Sequence, residues 1–155
     1  MNSIDLANFI ANNGIEAEIV HLEEVTLTVA DAAEVMGVLP EQIIKTVLFL
    51  ADGEPVLVIA SGLARIAWKR LADYVGVSRR RLKTGNPEQV QAITGYVVGS
   101  VPPFGHKEKL RTIVEQSVYD QAVVYGGGGE IDAFMRLETA VLRQIVGDET
   151  GDFSE

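Results

Sequence analysis

A chain of 155 residues, 47% apolar and 23% charged, has the makings of a single domain, since a chain of this size buries roughly 68–70% of its unfolded surface. It contains no cysteine, which excludes a disulfide framework and thiolate chemistry and is expected of a reducing, cytoplasmic setting. The net charge of −9 speaks against a nucleic-acid partner only until its distribution is read: residues 1–64 hold one base and ten acids, residues 65–111 ten bases and three acids, and residues 112–155 two bases and nine acids. Local potential rather than net charge steers a polyanion. The basic middle, with Arg65, Lys69, Arg70, Arg79, Arg80 and Arg81, is therefore a candidate tRNA-binding face. The plain alternative is a set of solvated faces balanced by acids that the fold brings near.

In chain order, Ile4, Leu6, Phe9 and Ile10 recur at helical spacing before Gly14, and residues 15–21 alternate as a half-buried strand does. Thr28, with Asp31 three residues on, reads as the cap of a short helix that Gly37 ends. Pro40 starts a helical turn predicted to run to Ile44. Residues 47–50 and 56–60 are predicted strands joined by Asp52-Gly53, a hairpin signal. The apolar stretch 43–59 is interrupted by Lys45, Asp52, Glu54 and Pro55, so it is not a membrane span. The N-terminal Met1-Asn2-Ser3-Ile4-Asp5 lacks the basic region of a signal peptide. A helix is predicted over 67–75 with Gly76 as its cap, and a strand with a charged face over 79–83. Asn86-Pro87 starts another helix, ending near Gly95. Strands at 112–115, 122–125 and 131–137 precede a last helix over 139–146, stopped by Gly147. Short strands and helices out of simple alternation define an α+β, or mixed α/β, domain. It is expected to occupy residues 1–147, with 148–155 an acidic, frayed tail.

Lys45 stands immediately before apolar residues of a predicted core strand. A lysine there either uses its charge or snorkels to water. Residues 95–105 hold three glycines and two prolines, which allow unusual backbone angles and close ligand approach. Main-chain N–H groups of Gly99, Ser100 and Gly105 are candidates to face an oxyanion or a ribose oxygen; a tight loop packed by Tyr96 and Phe104 is the alternative. Gly126-Gly127-Gly128-Gly129 marks either a ligand passing close to the backbone or a flexible hairpin, and matches no phosphate-loop pattern. With His21 and His106 as the only histidines, no zinc-ligand spacing is recognisable and no metal or cofactor is expected. There is no Gly-x-Ser-x-Gly elbow either. His106, beside the Pro/Gly loop, reads as a solvent-facing loop histidine more readily than as a proton carrier.

In ordered motifs from about residue 15 to 146, the chain resembles the YbaK/EbsC-like aminoacyl-tRNA deacylases, the Cys-tRNA(Pro) deacylase type, which resemble the editing domain inserted in bacterial prolyl-tRNA synthetases. The anchors are Thr28-Val29-Ala30-Asp31-Ala32-Ala33, Pro40-Glu41-Gln42-Ile43-Ile44-Lys45-Thr46, the Leu71-Ala72 helix ending in Gly76, Thr94-Gly95-Tyr96, Gly99 and Pro103-Phe104-Gly105. The resemblance implies a curved mixed sheet or pseudo-barrel flanked by helices. It also implies hydrolysis of the ester joining a wrong amino acid to the terminal adenosine of a tRNA, with tRNA(Pro) the expected species. Lys45 would be the key side chain, with Gly99 and Ser100, and backbone N–H groups near Gly99-Ser100 and Gly127-Gly128 would stabilise the oxyanion. Thr46, Pro103, Phe104, Gly105, Gly127 and Gly128 would bind substrate, and the basic segment would take the acceptor stem through phosphates.

Two departures bear on specificity. Alanine-specific members carry a histidine around 125–132, where this chain has none. Cysteine-specific members carry a serine where Gly127 stands and an aspartate near the position of Phe134. Neither assignment transfers. The leading reading is a free-standing editing hydrolase, monomer or homodimer, with a prolyl-tRNA synthetase as a possible partner and no membrane. A non-catalytic module that binds aminoacyl-adenosine or docks on a synthetase is the alternative, and a hydrolase of small non-tRNA esters is a third reading.

Overall fold

The computed structural model describes residues 1–26 and 28–155. Helix α1 (Ser3–Asn12) leads into β1 (Ala17–His21), α2 (Val29–Met36) and a 3-10 turn at Pro40–Gln42. Strands β2 (Ile44–Ala51) and β3 (Glu54–Ser61) form a hairpin, followed by α3 (Trp68–Val75), a 3-10 turn at Arg79–Arg81, β4 (Leu82–Thr84) and α4 (Pro87–Thr94). Then come β5 (Thr112–Glu115), β6 (Val123–Gly127), β7 (Ala133–Glu138), α5 (Thr139–Val146) and β8 (Thr150–Gly151). One sheet has the order β1-β7-β6, the other β4-β2-β3-β5-β8. The second is mixed: β2 is antiparallel to β3 and β4, while β5 is parallel to β3 and β8. A parallel bridge between Ile43 and Tyr125 joins the two sheets at the start of β2. This is the mixed α+β architecture that the sequence leads one to expect, built as two sheets flanked by helices.

The local signals explain the element ends. Thr28 Oγ1 accepts from the Asp31 N–H at 3.0 Å, and Gly37 closes α2 in the left-handed conformation at φ 69°. Asn86 and Gln89 form a capping box on α4 with Pro87 in the first turn. The β2–β3 register pairs Ala51 with Glu54 across Asp52-Gly53, both at positive φ as a type I′ turn requires. Leu6, Ile44, Ile59, Phe104, Val114, Met135 and Leu142 pack between the sheets. Phe49, Val58, Leu71, Leu82 and Ile113 form a second cluster that takes in α3. Each cluster draws on alternate residues of β2 and β3, so both faces of this hairpin are core, as its near-continuous apolar run demands.

Several boundaries differ from expectation. The helical turn after Pro40 stops at Gln42, because Ile43 is taken into the bridge to Tyr125. The strand predicted over 79–83 is a 3-10 turn at Arg79–Arg81, and only 82–84 pair with β2. Three consecutive exposed arginines offer no alternating apolar face to hold a strand, whereas Leu82 is fully buried. The strand predicted from Ile131 starts at Ala133, leaving Ile131 exposed in the turn.

The acidic tail is docked rather than frayed. Thr150–Gly151 pair with Val114 and Glu115, Phe153 is buried against the α3 cluster, and the Ala67 N–H donates to the Phe153 carbonyl at 2.5 Å. Arg70 pairs with Asp152 at 2.9 Å and Arg111 with Glu149 at 2.8 Å. An acidic run looks solvated in sequence, but here its one large apolar residue anchors it and nearby arginines neutralise it. Phe153→Ala is expected to cost ~3–5 kcal/mol of stability in chemical denaturation, the range of a buried aromatic truncated to alanine. A tail loose in solution would give a change within about 0.5 kcal/mol.

Candidate active site

Lys45 is the second residue of β2, paired with Ala60 of β3. Its Nζ donates to the Ala64 carbonyl oxygen at 2.6 Å. Ala64 lies in the turn after β3, which returns to the start of β2 through the Gly62 N–H to Ile43 carbonyl bond at 2.7 Å. This turn comes so close to α2 that a Cβ on Gly62 would stand 2.8 Å from Val29 Cγ2. Burial holds the Lys45 amine below its ordinary pKa of 10.5. The side chain opens onto a cavity of about 410 Å³ lined by Val47, Phe49, Ala64, Arg65, Ile66, Trp68, Thr84 and Glu155. Strand alternation turns Thr46 to the opposite face, where its buried Oγ1 has no hydrogen-bond partner among the described residues.

The two glycine loops meet each other beside this strand. The Gly129 N–H donates to the Ser100 carbonyl at 3.0 Å. A Cβ on Gly126 would contact both Ile44 and Pro103 at 3.3 Å, and one on Gly127 would stand 2.6 Å from the Val101 carbonyl carbon. The glycines at 126 and 127 thus let the hairpin pack on the 100–103 backbone, an intramolecular close approach rather than a free ligand cradle. Two expected oxyanion donors are spoken for. The Ser100 N–H donates to Val97 O at 3.1 Å, with the residue wholly buried, and the Gly128 N–H donates to Ala133 O at 3.0 Å. Gly99 differs: it is exposed at φ 88°, with open space where a side chain would be.

Pro103, Phe104 and Gly105 are buried and line a separate cavity of about 320 Å³ with Phe9, Asn13, His106, Lys109, Leu110, Thr112, Ile145 and Val146. It shares no lining residue with the Lys45 cavity. His106 is half-buried rather than solvent-facing. Its Nε2 lies 2.7 Å from the Pro102 carbonyl, which places the proton on Nε2, and burial lowers its pKa from 6.5, partly offset by that bond. A base whose folded pKa lies below its unfolded one gives stability that is present above the unfolded value and lost as pH falls toward the folded one. Wild-type urea midpoints are accordingly expected to drop as pH is lowered through 6.5, and His106→Gln to remove part of that drop. Equal pH dependence of the two proteins would count against a buried neutral His106.

The basic segment is divided by ion pairing. Lys69 pairs with Asp73, Arg70 with Asp152 and Arg81 with Asp52, at 2.7, 2.9 and 2.7 Å. Arg65, Arg79 and Arg80 form no ion pair among the described residues; Arg65 lines the Lys45 cavity, and the Arg79 guanidinium stacks 4.2 Å from the Trp68 ring centroid. Trp68, the Ala64 carbonyl and Glu155 are site features that no spacing in the sequence announces, because loop and tail closure bring them to Lys45. One group with metal-ligand proximity exists among the described residues: His21 at the end of β1 with Glu130 and Asp132 of the β6–β7 turn, their donor atoms within 4.8 Å of one another. Glu130 already accepts a hydrogen bond from Ser3 Oγ.

The fold and site together define a small mixed-sheet domain with one partly desolvated lysine and, beside it, arginines that form no ion pair among the described residues. The chain belongs to the family described as the aminoacyl-tRNA editing domain, which matches residues 23–145. It is 31% identical over 109 residues to a proline–tRNA ligase of Nitratidesulfovibrio vulgaris, covering 70% of this chain and 19% of that protein. A proline–tRNA ligase of Levilactobacillus brevis is 29% identical over 118 residues, 74% of this chain and 20% of that one. The chain thus spans about a fifth of the length of these relatives. A crystal structure assigned as a candidate trans-editing enzyme for prolyl-tRNA synthetase superposes with TM-score 0.91 at 26% identity, covering 99% of this chain and 96% of that one. No helix among the described residues is long and apolar enough to cross a membrane.

Proposed function

We propose that this chain hydrolyses the ester of a mischarged aminoacyl-tRNA, with tRNA(Pro) as the tRNA, acting in trans to a prolyl-tRNA synthetase. The observation that carries the reading is Lys45, held 2.6 Å from a backbone carbonyl at the mouth of a cavity, in a chain of the editing-domain family. The Lys45 ammonium lies against the ester carbonyl and stabilises the oxyanion as water adds to the carbonyl carbon. The bond to the ribose oxygen then breaks, giving a free carboxylate and a ribose hydroxyl, one proton of the water passing to the leaving oxygen and the other to solvent. An aminoacyl ester is already activated, so one preorganised charge in a partly dry site supplies a useful share of the rate. Among the glycine-loop groups, Gly99 remains a candidate to contact substrate, because its surroundings are open.

A specific observation favours a second reading, a module that binds charged tRNA without turnover. The Ser100 and Gly128 amides are satisfied within the protein, so the oxyanion hole expected from the two loops is not free. A panel of tRNA(Pro) charged with alanine, cysteine, serine, threonine or proline separates the two. Faster release of one non-cognate amino acid than of proline supports the hydrolase and names the substrate. Tight binding with spontaneous release rates throughout supports the module.

A further inference from the structure

Of the segment's basic residues, Arg79 is the one that is both unpaired and fixed. The residue is solvent-exposed, its guanidinium carbon lies over the Trp68 ring 4.2 Å from the centroid, and it forms no ion pair with any described acid. Trp68 is held from another side by Phe49, edge-on with centroids 5.0 Å apart, and both aromatic residues line the cavity that contains Lys45. One Arg79 N–H reaches the Leu82 carbonyl at 3.5 Å; stacking uses the π-face of the guanidinium and leaves the remaining N–H groups for a ligand. The entropy of ordering a long side chain has then been spent before any ligand arrives. A planar, oriented fork of donors with no carboxylate on it suits a bidentate oxyanion, and phosphate is the oxyanion such forks bind in two parallel hydrogen bonds. Arg65, also without an ion pair among the described residues, lines the same cavity. By contrast, Lys69, Arg70 and Arg81 are each already bound to an aspartate.

We infer that Arg79, stacked on Trp68, binds the phosphodiester on the 5′ side of the terminal nucleoside, with Arg65 as a second contact, and so holds the 3′ end of the RNA with its ester at Lys45. This rests on reading the Lys45 cavity as the place of the ester. Arg79 is a positioning residue: it touches the substrate's phosphate and not the reacting carbonyl.

Two substrates separate the role. The first is charged tRNA; the second is the same amino acid esterified to adenosine, which has the ester and the nucleoside but no phosphate. Arg79→Ala is expected to lower kcat/KM on charged tRNA by ~10-fold or more, the worth of a hydrogen bond to a charged group, chiefly through KM. On the adenosine ester it should match wild type, and Arg79→Lys should recover only part of the loss. An Arg136→Ala variant, which removes an exposed charge outside the basic segment, should stay near wild type on both. Equal losses of Arg79→Ala on both substrates, or none on charged tRNA, would overturn the inference.

A second measurement does not depend on turnover. Trp68 is the only tryptophan, so its fluorescence reports directly on the stack. Titration with adenosine 5′-monophosphate should shift it, adenosine alone should do so far less, and Arg79→Ala should abolish the difference. For a short single-stranded RNA, the salt slope of binding should shrink by roughly 0.7 in Arg79→Ala, one phosphate's share. A phosphate-dependent signal without deacylation leaves the phosphate site standing and removes the hydrolase. Deacylation with no phosphate dependence does the reverse.

Discussion

Lys45→Ala is expected to lower the rate of ester hydrolysis by ~10²–10³, the scale of removing one preorganised donor from a developing oxyanion, while the circular dichroism spectrum stays that of the wild type. The lysine is placed by long-range closure: its Nζ is fixed by the carbonyl of Ala64, nineteen residues away. Its desolvation strengthens the attraction to a developing negative charge. The same burial lowers its pKa below 10.5. Only the ammonium form is useful, so the enzymatic rate, corrected for spontaneous alkaline hydrolysis, falls as pH rises through that lowered value. Lys45→Arg keeps its charge to higher pH and should move this limb upward, even at a reduced rate. A wild-type profile with no alkaline limb below 10.5 would mean that the charge on Lys45 is not used.

Gly127→Ala is expected to be the most damaging small substitution in the glycine loops. The new methyl would stand 2.6 Å from the Val101 carbonyl carbon and 3.0 Å from the Ser100 oxygen, and both neighbours are backbone. Neither can rotate away, so the hairpin and the 100–103 loop must separate. Overpacking of this kind costs ~1–3 kcal/mol, which for a domain of this size is a fall in Tm of roughly 2–12 °C. Activity should fall with stability, because the same contact holds the loops beside β2. A Gly127→Ala protein with wild-type Tm and no activity would instead mean that a ligand, not Val101, needs the space.

What was legible in the sequence is what local chemistry determines. Thr28, Asn86, Gly37 and Gly76 mark helix ends because capping and left-handed closure are short-range. Asp52-Gly53 marks its hairpin for the same reason. Lys45 stood out because a charge at the head of an apolar strand conflicts with its surroundings. The rest depends on closure. The tail looked solvated because the groove that takes Phe153 is built from α3, β3 and β5. Arg79–Arg81 looked like a strand because nothing nearby shows that Trp68 and Asp52 take up two of the three side chains. The glycines at 126–129 suit either a close ligand or a flexible hairpin in sequence, whereas Gly127 faces the Val101 carbonyl and Gly129 donates to Ser100, contacts made across more than twenty residues. Ion pairs that silence Lys69, Arg70 and Arg81 are equally invisible to a count of charges.

The most direct test is multiple turnover on mischarged tRNA(Pro), with the protein present at about a hundredth of the substrate and release of the amino acid followed over time. The expected result is complete release at a rate proportional to the amount of wild-type protein, lowered by ~10²–10³ in Lys45→Ala. Bound tRNA whose ester decays at the spontaneous rate, whatever the amount of wild-type protein, would contradict the hydrolase and leave a binding module.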